Sequence, residues 1–259
     1  MAATAMTSPV GRRTIPVREI RIPHSCPQPA RLSVLAGSEW FGCLDGQELA
    51  EVESLMIRRA WTAGDRLFHA EDEADALFMV ARGRVKLQQV RPDGSEVVTD
   101  VLAPGEVCGA LGILARPFQR HTAEALVDTC TLGIRQSDLR RVLTEHPQVA
   151  LHVIDQVAAR LARAESLIGA QATRTVPARL ATTLLRLAAK LGRERGAQGV
   201  LLEVPLSRAD LAGLARSTPE SVSRVLSRWK EEGLIDSGRR WVSLLDRARL
   251  ERIAREQEI

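Results

Sequence analysis

The sequence predicts an α+β protein with an N-terminal β-roll, a long central helix and a C-terminal winged helix-turn-helix. Three observations predict this order. Short strand-like runs separated by turn residues fill residues 61–134. A helical pattern with heptad spacing begins near Pro147. Two short capped helices and a hairpin then close the chain, and 259 residues suffice for two small domains.

The N-terminal half divides at clear changes in composition. Residues 1–30 are rich in Pro and Arg and show no periodicity, so we expect a flexible tail there. Asp45 and Glu48 then form a capping-box pattern ahead of an amphipathic helix. From Trp61 onward, period-two runs alternate with Gly- and Pro-containing turns, which is typical of a β-sandwich or roll.

The helix that begins near Pro147 carries a mostly apolar seam at alternating spacings of four and three residues. This spacing is typical of helices that pack against each other along their length, so we predict a dimer interface. The alternative is a helix that packs only on its own domain. The predicted interface consists of Ile154, Val157, Leu161, Ala164 and Ile168.

These patterns give the predicted domain boundaries. We expect a tail at 1–30, a β-roll sensor domain at 31–146, a dimerisation helix at 147–172 and a winged helix-turn-helix domain at 173–259.

Composition excludes several classes of protein. Hydrophobic residues make up 45% and charged residues 26% of the chain, which is ordinary for a globular protein. No apolar run approaches the roughly 20 residues of a membrane span, and no signal peptide is evident, so we expect a cytoplasmic protein without a membrane partner. The chain also lacks Gly-x-Ser-x-Gly, a phosphate loop and His-Glu-x-x-His, so we expect no enzymatic activity.

Charge is distributed unevenly along the chain. Residues 173–259 contain 17 Lys or Arg and 11 Asp or Glu, whereas residues 1–172 contain 19 and 21. A basic C-terminal third favours a polyanionic partner such as duplex DNA.

The C-terminal third also contains a helix-turn-helix pattern. Ser207 and Asp210 form a capping box before a short apolar-faced helix. A break follows at residues 216–218. Thr218 can then cap a second helix that has Pro219 in its first turn.

The second helix separates its apolar and polar residues. Glu220, Ser223, Arg224 and Ser227 share one face, which suits a helix lying in the major groove. Arg pairs with guanine and Glu with cytosine N4, although an i,i+4 salt bridge is the alternative role for Glu220 and Arg224. Arg239 and Arg240, in the predicted hairpin that follows, can bind DNA phosphates. The predicted DNA contacts are Ser207, Ser217, Thr218, Glu220, Ser223, Arg224, Ser227, Arg239 and Arg240.

Several strings resemble the cyclic-AMP receptor protein/FNR family of bacterial transcription regulators over about residues 35–250. They are AGDRLFHAEDEADALFMVARGRVKL, PDGSEVV, LAPGEVCGALGIL and LSRADLAGLARSTPESVSRVLSRWKEEGLI. The Glu-x-x-Ser-Arg of the FNR-like branch is matched by Glu220, Ser223 and Arg224. This resemblance implies a cyclic-nucleotide-binding-type β-roll and a homodimer on a palindromic site with TTGA-like half-sites. For an activator it also implies RNA polymerase as a partner.

The resemblance also bears on the signal that the roll receives. Nucleotide-binding members carry a Glu for the ribose and an Arg followed by Ser or Thr for the phosphate. This chain has Ala110 at the Glu position, while Arg120 and Thr122 are the candidate ligand contacts. Alanine cannot accept the ribose hydrogen bond, which argues against cyclic AMP.

A [4Fe–4S] cluster is the second candidate signal receptor, since the FNR branch holds one with four cysteines. Here the candidate ligands are Cys26, Cys43, Cys108 and Cys130. The chain lacks the tight C-x2-C run of that branch. The alternative is that Cys108 and Cys130 are small buried core residues.

Three further alternatives stay open from the sequence. Haem could use His24, His121 or Cys108 as a ligand. A metal-free thiol sensor would need an exposed cysteine of low pKa. The chain could also be a cyclic-nucleotide-responsive module that acts through a protein partner.

Overall fold

The computed structural model describes residues 26–91, 94–111, 118–171, 174–196, 199–238 and 240–256. The fold is α+β, which confirms the predicted class. The helices are α1 (Gln28–Ala36), α2 (Gly46–Ser54), α3 (Gln136–Glu145), α4 (Pro147–Gln171), α5 (Val176–Leu191), α6 (Arg208–Leu214), α7 (Pro219–Glu231) and α8 (Arg247–Ile253). The strands are β1 (Ile57–Trp61), β2 (Arg66–Phe68), β3 (Ala76–Arg82), β4 (Val85–Val90), β5 (Glu96–Leu102), β6 (Val107–Cys108), β7 (Thr122–Ala125), β8 (Thr129–Arg135), β9 (Arg193–Glu194), β10 (Val200–Leu202), β11 (Ile235–Gly238) and β12 (Trp241–Leu244).

The roll consists of two four-stranded antiparallel sheets. One has the order β1-β8-β3-β6 and the other β2-β7-β4-β5. Strand β3 is buried on both faces, which explains its nearly continuous apolar sequence. Phe78 and Val80 pack into the interior of the roll, whereas Leu77 and Met79 pack under the helices on the outer face.

The N-terminal layer starts earlier than the sequence suggested. We expected a flexible tail through residue 30, but α1 begins at Gln28 and Cys26 is already buried. A buried ion pair fixes this layer, because Arg31 Nε lies 2.6 Å from Glu53 Oε1 on α2. Arg31 also donates to the Cys26 carbonyl, at 2.7 Å. Residues 1–25 of the expected tail lie outside the described residues.

The long helix α4 connects the roll to the C-terminal domain. Val149 and Val153 are buried in the cluster beneath the N-terminal helices. Further along, Arg160 donates to the Val107 carbonyl of the roll, at 3.0 Å, although the residue is otherwise exposed. The helix therefore packs on its own roll along one side and leaves its other side open. None of the described helices has the length and apolar character that a membrane crossing requires.

The Arg31–Glu53 pair gives a stability prediction. Glu53→Ala leaves a buried guanidinium without its counterion, so we expect the free energy of unfolding to fall by about 3–5 kcal/mol. Chemical denaturation of the full chain measures this change. Glu51→Ala on the exposed side of α2 is the matched control, with an expected change within about 0.5 kcal/mol. Equal losses in both variants would contradict a special role for the pair.

Candidate nucleic-acid interface

Helix α6 is the first helix of the helix-turn-helix, and its start is fixed by a complete capping box. Ser207 Oγ accepts from the Asp210 amide at 3.0 Å, and Asp210 Oδ2 accepts from the Ser207 amide at 2.7 Å. These bonds satisfy backbone donors that a helix start leaves unpaired. Leu211 and Ala212 then bury the inner face of α6. The capping residue Ser207 is itself exposed, at the N-terminal end of α6.

The turn between the two helices is held by α5, which sequence reasoning missed. Arg216 adopts a positive φ of 49°, and the Ser217 amide donates to the Ala212 carbonyl at 2.9 Å. Arg179 on α5 donates to the carbonyl of Ala215, the last residue before the turn, at 3.2 Å. No local pattern indicated this contact, because Arg179 shares its face of α5 with Thr183 and Arg186 and therefore resembles an ordinary polar helix face.

Helix α7 has the two faces that the sequence predicts. Thr218 caps it by accepting from the Ser221 amide at 3.2 Å. The inner face buries Val222, Leu226 and Trp229 in the core of the domain. The fold therefore fixes which side of the helix points outward.

The predicted contact residues of α7 lie mostly on that outward side. Glu220, Arg224 and Ser227 are exposed, whereas Ser223 is half-buried. Among the ion pairs of the described residues there is none between Glu220 and Arg224, so the alternative role of a structural salt bridge finds no support. Thr218 is exposed and Ser217 half-buried at the preceding turn.

The wing is the hairpin of β11 and β12. Gly238 pairs with Trp241, and a Cβ at Gly238 would meet the indole ring at 2.5–2.9 Å, so a side chain there would displace the ring. Arg240 is exposed at the tip with a φ of 74°. Arg239 lies outside the described residues.

One lysine ties the wing to the end of α7. Lys230 Nζ lies 2.9 Å from Asp236 Oδ1 and donates to the Ser237 carbonyl at 3.0 Å. The hydrogen bond from Lys230, followed by that from the Ser237 amide, lowers the pKa of Asp236 below its ordinary value. These bonds orient the hairpin relative to the exposed helix face.

The four candidate cysteine ligands are not gathered into one site, which corrects the cluster hypothesis. Cys26 and Cys130 are both buried in the hydrophobic cluster beneath the N-terminal helices. Cys108 packs inside the roll against the Phe78 carbonyl, and Cys43 is exposed. The sheet itself lies between the Cys108 and Cys130 thiols. No group of three or more His, Cys, Asp or Glu in the described part of the chain could hold a metal ion, so these residues do not fit a four-thiolate cluster.

Two of the three candidate haem ligands, His121 and Cys108, lie among the described residues. Burial, then the charges of Arg120 and Arg160, lower the pKa of His121 below 6.5. Burial raises the pKa of Cys108 to about 12, which disfavours the thiolate that a cysteine ligand must form. His24 lies outside the described residues.

The two candidate nucleotide contacts lie in different environments. Arg120 is exposed, whereas Thr122 is buried and its hydroxyl accepts from the Ala70 amide at 3.1 Å. The neighbouring residue Gln119 is also buried, and its Oε1 accepts from the Ala110 amide at 2.9 Å. Sequence reasoning did not single out Gln119. Its carbonyl oxygen already satisfies the backbone donor beside the position where nucleotide-binding relatives carry Glu.

The roll and the helix-turn-helix share a packed interface. Val98 and Val101 of β5 belong to the same hydrophobic cluster as the cores of α5, α6 and α7. A Cβ on Gly213 of α6 would lie 2.9 Å from the Val98 carbonyl oxygen, so the two backbones are in close contact. On α5, Lys190 pairs with Glu106 of the roll at 2.7 Å. A conformational change at β5 of the roll therefore acts directly on α6, the first helix of the motif.

The fold and this interface together define a helix-turn-helix DNA-binding protein with an N-terminal β-roll. Residues 178–253 match the family model of the Crp-like helix-turn-helix domain, and residues 58–146 match that of the cyclic nucleotide-binding domain.

Comparison with whole proteins gives the family. The chain is 30% identical over 220 residues to the cyclic AMP receptor protein of Thermus thermophilus, with 85% of this chain and 98% of the relative covered. It is 27% identical to the nitrogen fixation regulation protein FixK of Bradyrhizobium diazoefficiens, with coverages of 82% and 87%. The structure of FixK2 from Bradyrhizobium japonicum aligns with a TM-score of 0.67 at 27% identity, covering 76% of this chain and 96% of FixK2. The chain belongs to the CRP/FNR family of transcription regulators.

The close contact at Gly213 generates a prediction for domain coupling. Gly213→Ala inserts a methyl group against the Val98 backbone, so we expect the contact between α6 and β5 to open. Hydrogen exchange followed by mass spectrometry should show faster exchange in peptides covering α6 and β5. Gly46→Ala is the matched control, because a Cβ there meets no atom within 4 Å. Unchanged exchange in both peptides would show that the domains tolerate the methyl group.

Proposed function

We propose that this regulator is a homodimer that binds an inverted repeat with TTGA-like half-sites and changes its DNA affinity when the roll receives a signal. The observation that carries the proposal is the outward face of α7, where Glu220 and Arg224 are exposed on a helix whose opposite face is fully buried. A helix with this division of faces suits the major groove, which is about 12 Å wide.

The chemistry of that face supports sequence-specific reading. The Arg224 guanidinium can donate two hydrogen bonds to guanine O6 and N7, and the Glu220 carboxylate can accept from cytosine N4. Both side chains are exposed rather than paired with each other, so they are available to base edges. Ser223 lies beside them and is half-buried, which suits a short-range contact.

Exposed cations around α7 support binding to the phosphate backbone. Arg208 at the start of α6, Arg228 in the last turn of α7 and Arg240 at the tip of the wing are all exposed. Phosphate contacts supply affinity and fix the register of the protein, whereas base contacts select the sequence. Phosphate binding and base recognition are therefore assigned to different residues.

The open side of α4 supports dimerisation with a second copy of this chain. Ile154, Val157 and Leu161 have exposed fractions of 61%, 43% and 59%. Leu151, which sequence analysis left out of the seam, extends the apolar stripe with an exposed fraction of 63%. Ala164 is exposed, and the Ile168 side chain lies outside the described residues. This apolar stripe lies on a helix that joins two domains. The same stripe on α4 of a second copy of the chain can bury it.

Twofold symmetry connects the stripe to DNA recognition. A dimer through α4 presents two α7 helices, and an inverted repeat requires them about 34 Å apart on one face of the duplex. A signal that favours one arrangement of the two domains changes this spacing and with it the affinity. The packed contact of Gly213 with Val98 is the point at which the roll fixes the position of the helix-turn-helix.

Two observations disfavour cyclic AMP as the signal, although the relative from Thermus thermophilus is named for it. Ala110 stands where nucleotide-binding relatives have Glu, and its amide is already bonded to Gln119. Arg120, the candidate for the phosphate, is exposed.

The base-reading role of Arg224 is testable by substitution. Arg224→Ala should reduce the preference for a TTGA inverted repeat over random duplex by about 1–3 kcal/mol, because the two bonds to guanine are lost. Fluorescence anisotropy titration at fixed salt measures both affinities. Arg252→Ala on α8 removes the same charge from an exposed position and should leave the preference unchanged. An equal loss on both duplexes for Arg224→Ala would assign this residue to phosphate binding.

The dimer is testable at the stripe on α4. Leu161→Glu puts a charge into the proposed seam, so we expect the protein to sediment as a monomer and to lose most of its affinity for the inverted repeat. Val90→Glu alters another exposed apolar residue, on β4, and should leave the dimer intact. Sedimentation equilibrium distinguishes the two states. A dimer that survives Leu161→Glu would contradict an interface along α4.

A further inference from the structure

A cavity of about 600 Å³ lies between the roll and the helix-turn-helix domain. The roll contributes Lys86 of β4 and Glu124 of β7, and the C-terminal domain contributes the start of α6 and the wing. Elsewhere the two domains are closely packed, as at the contact of Gly213 with Val98. Small-molecule sites have volumes of about 300–1,000 Å³ and often lie between domains, so this gap has the size and the position of a ligand site.

The walls of the cavity are predominantly basic. Among the described residues that line it, the positive charges belong to Lys86, Arg208 and Arg240. The one negative charge in that set is Glu124, which pairs with Lys86 at 3.1 Å. Both partners are largely buried, with side chains 13% and 19% exposed, so their charges compensate each other. Arg208 and Arg240 have no ion-pair partner among the described residues, and their charge favours an anionic ligand.

Much of the remaining lining is apolar. Leu206 and Val242 are half-buried and pack on the core of the C-terminal domain. Leu202 and Leu211 of that core also line the cavity. The half-buried indole of Trp241 adds an aromatic face. Inorganic phosphate would leave this apolar surface in contact with water, whereas a ligand with an apolar body would cover it.

The two arginines give the ligand a direction. Both are exposed, Arg208 in the first turn of α6 and Arg240 between the two strands of the wing, so they lie on the open side of the cavity. A carboxylate bound by a guanidinium there is paired and still partly hydrated, which avoids the cost of burying an unpaired charge. The apolar body then extends inward against Leu206 and Val242.

We propose that this cavity binds a small amphipathic carboxylate, such as a medium-chain fatty acid, and that its occupation weakens the affinity for DNA. The second half rests on the proposed function, in which Arg208 and Arg240 bind DNA phosphates. A guanidinium that holds the ligand carboxylate is not available to a phosphate. Because phosphate contacts carry no sequence information, the inverted repeat and a random duplex should lose affinity alike.

Isothermal titration calorimetry of the full-length protein tests the site itself. The probes are octanoate and decanoate, together with 1-octanol, which lacks the charge, and inorganic phosphate, which lacks the apolar body. We expect one carboxylate per chain. Decanoate should bind about tenfold more tightly than octanoate, because two further methylene groups leave water. Octanol and phosphate should each bind about tenfold more weakly than octanoate, or not at all.

A double substitution places the binding in the cavity. Arg208→Gln combined with Arg240→Gln should weaken octanoate binding about tenfold or more, because the carboxylate loses both guanidinium partners. Arg252→Gln combined with Arg255→Gln is the matched control, since it removes the same charge from two exposed positions of the same domain that do not line the cavity. Octanoate binding that is equally strong in both double variants overturns the site.

Fluorescence anisotropy at fixed salt, with and without saturating decanoate, tests the effect on DNA. We expect the affinity to fall about fivefold or more on the inverted repeat and on random duplex alike. Absence of saturable carboxylate binding, or binding that ignores chain length or charge, overturns the cavity site. Saturable binding with unchanged DNA affinity overturns the competition. Failure of the ligand-free protein to bind any duplex overturns the proposed function, while calorimetry still decides the cavity site.

Discussion

The rest of the structure depends on the sheet β1-β8-β3-β6, whose strands β3 and β8 are buried on both faces. Its inner face closes the roll through Phe78 and Val80, and its outer face supports the N-terminal helices through Leu77 and Met79. Because successive side chains of a strand point to opposite faces, one sheet organises two separate cores. Helix α4 begins on the outer core, through Val149, so its direction follows from this sheet.

A second packed layer links the roll to the DNA-binding motif. The cluster that holds α5, α6 and α7 includes Val98 and Val101 of β5, and the pair of Lys190 with Glu106 lies beside it. The helix-turn-helix is therefore packed against the roll, rather than joined to it by a flexible linker alone. Its first helix is in backbone contact with the domain that precedes it, and α5 holds the turn through Arg179. Any rearrangement within the roll has to be accommodated at this interface.

Local signals in the sequence predicted much of the fold and of the interface. Capping residues marked the starts of α6 and α7, because Ser207 and Thr218 act on backbone amides only a few positions away. The spacing of Val222, Leu226 and Trp229 fixed the inner face of α7 and therefore the outer one. The matches to the two domain families confirm that these signals, together with the resemblance of the longer strings, identified the class of protein.

Features that depend on distant parts of the chain were not predicted. The start of α1 inside the expected tail depends on Arg31 meeting Glu53, and the burial of Cys26 and Cys130 in one cluster depends on which face of β8 lies under α1. The sequence by itself determined the order of elements, the two faces of α7 and the apolar stripe of α4, because helix periodicity and capping are local. Only the tertiary structure decided which cysteines share a core and which backbone lies against Gly213, because these depend on how the sheets and helices stack.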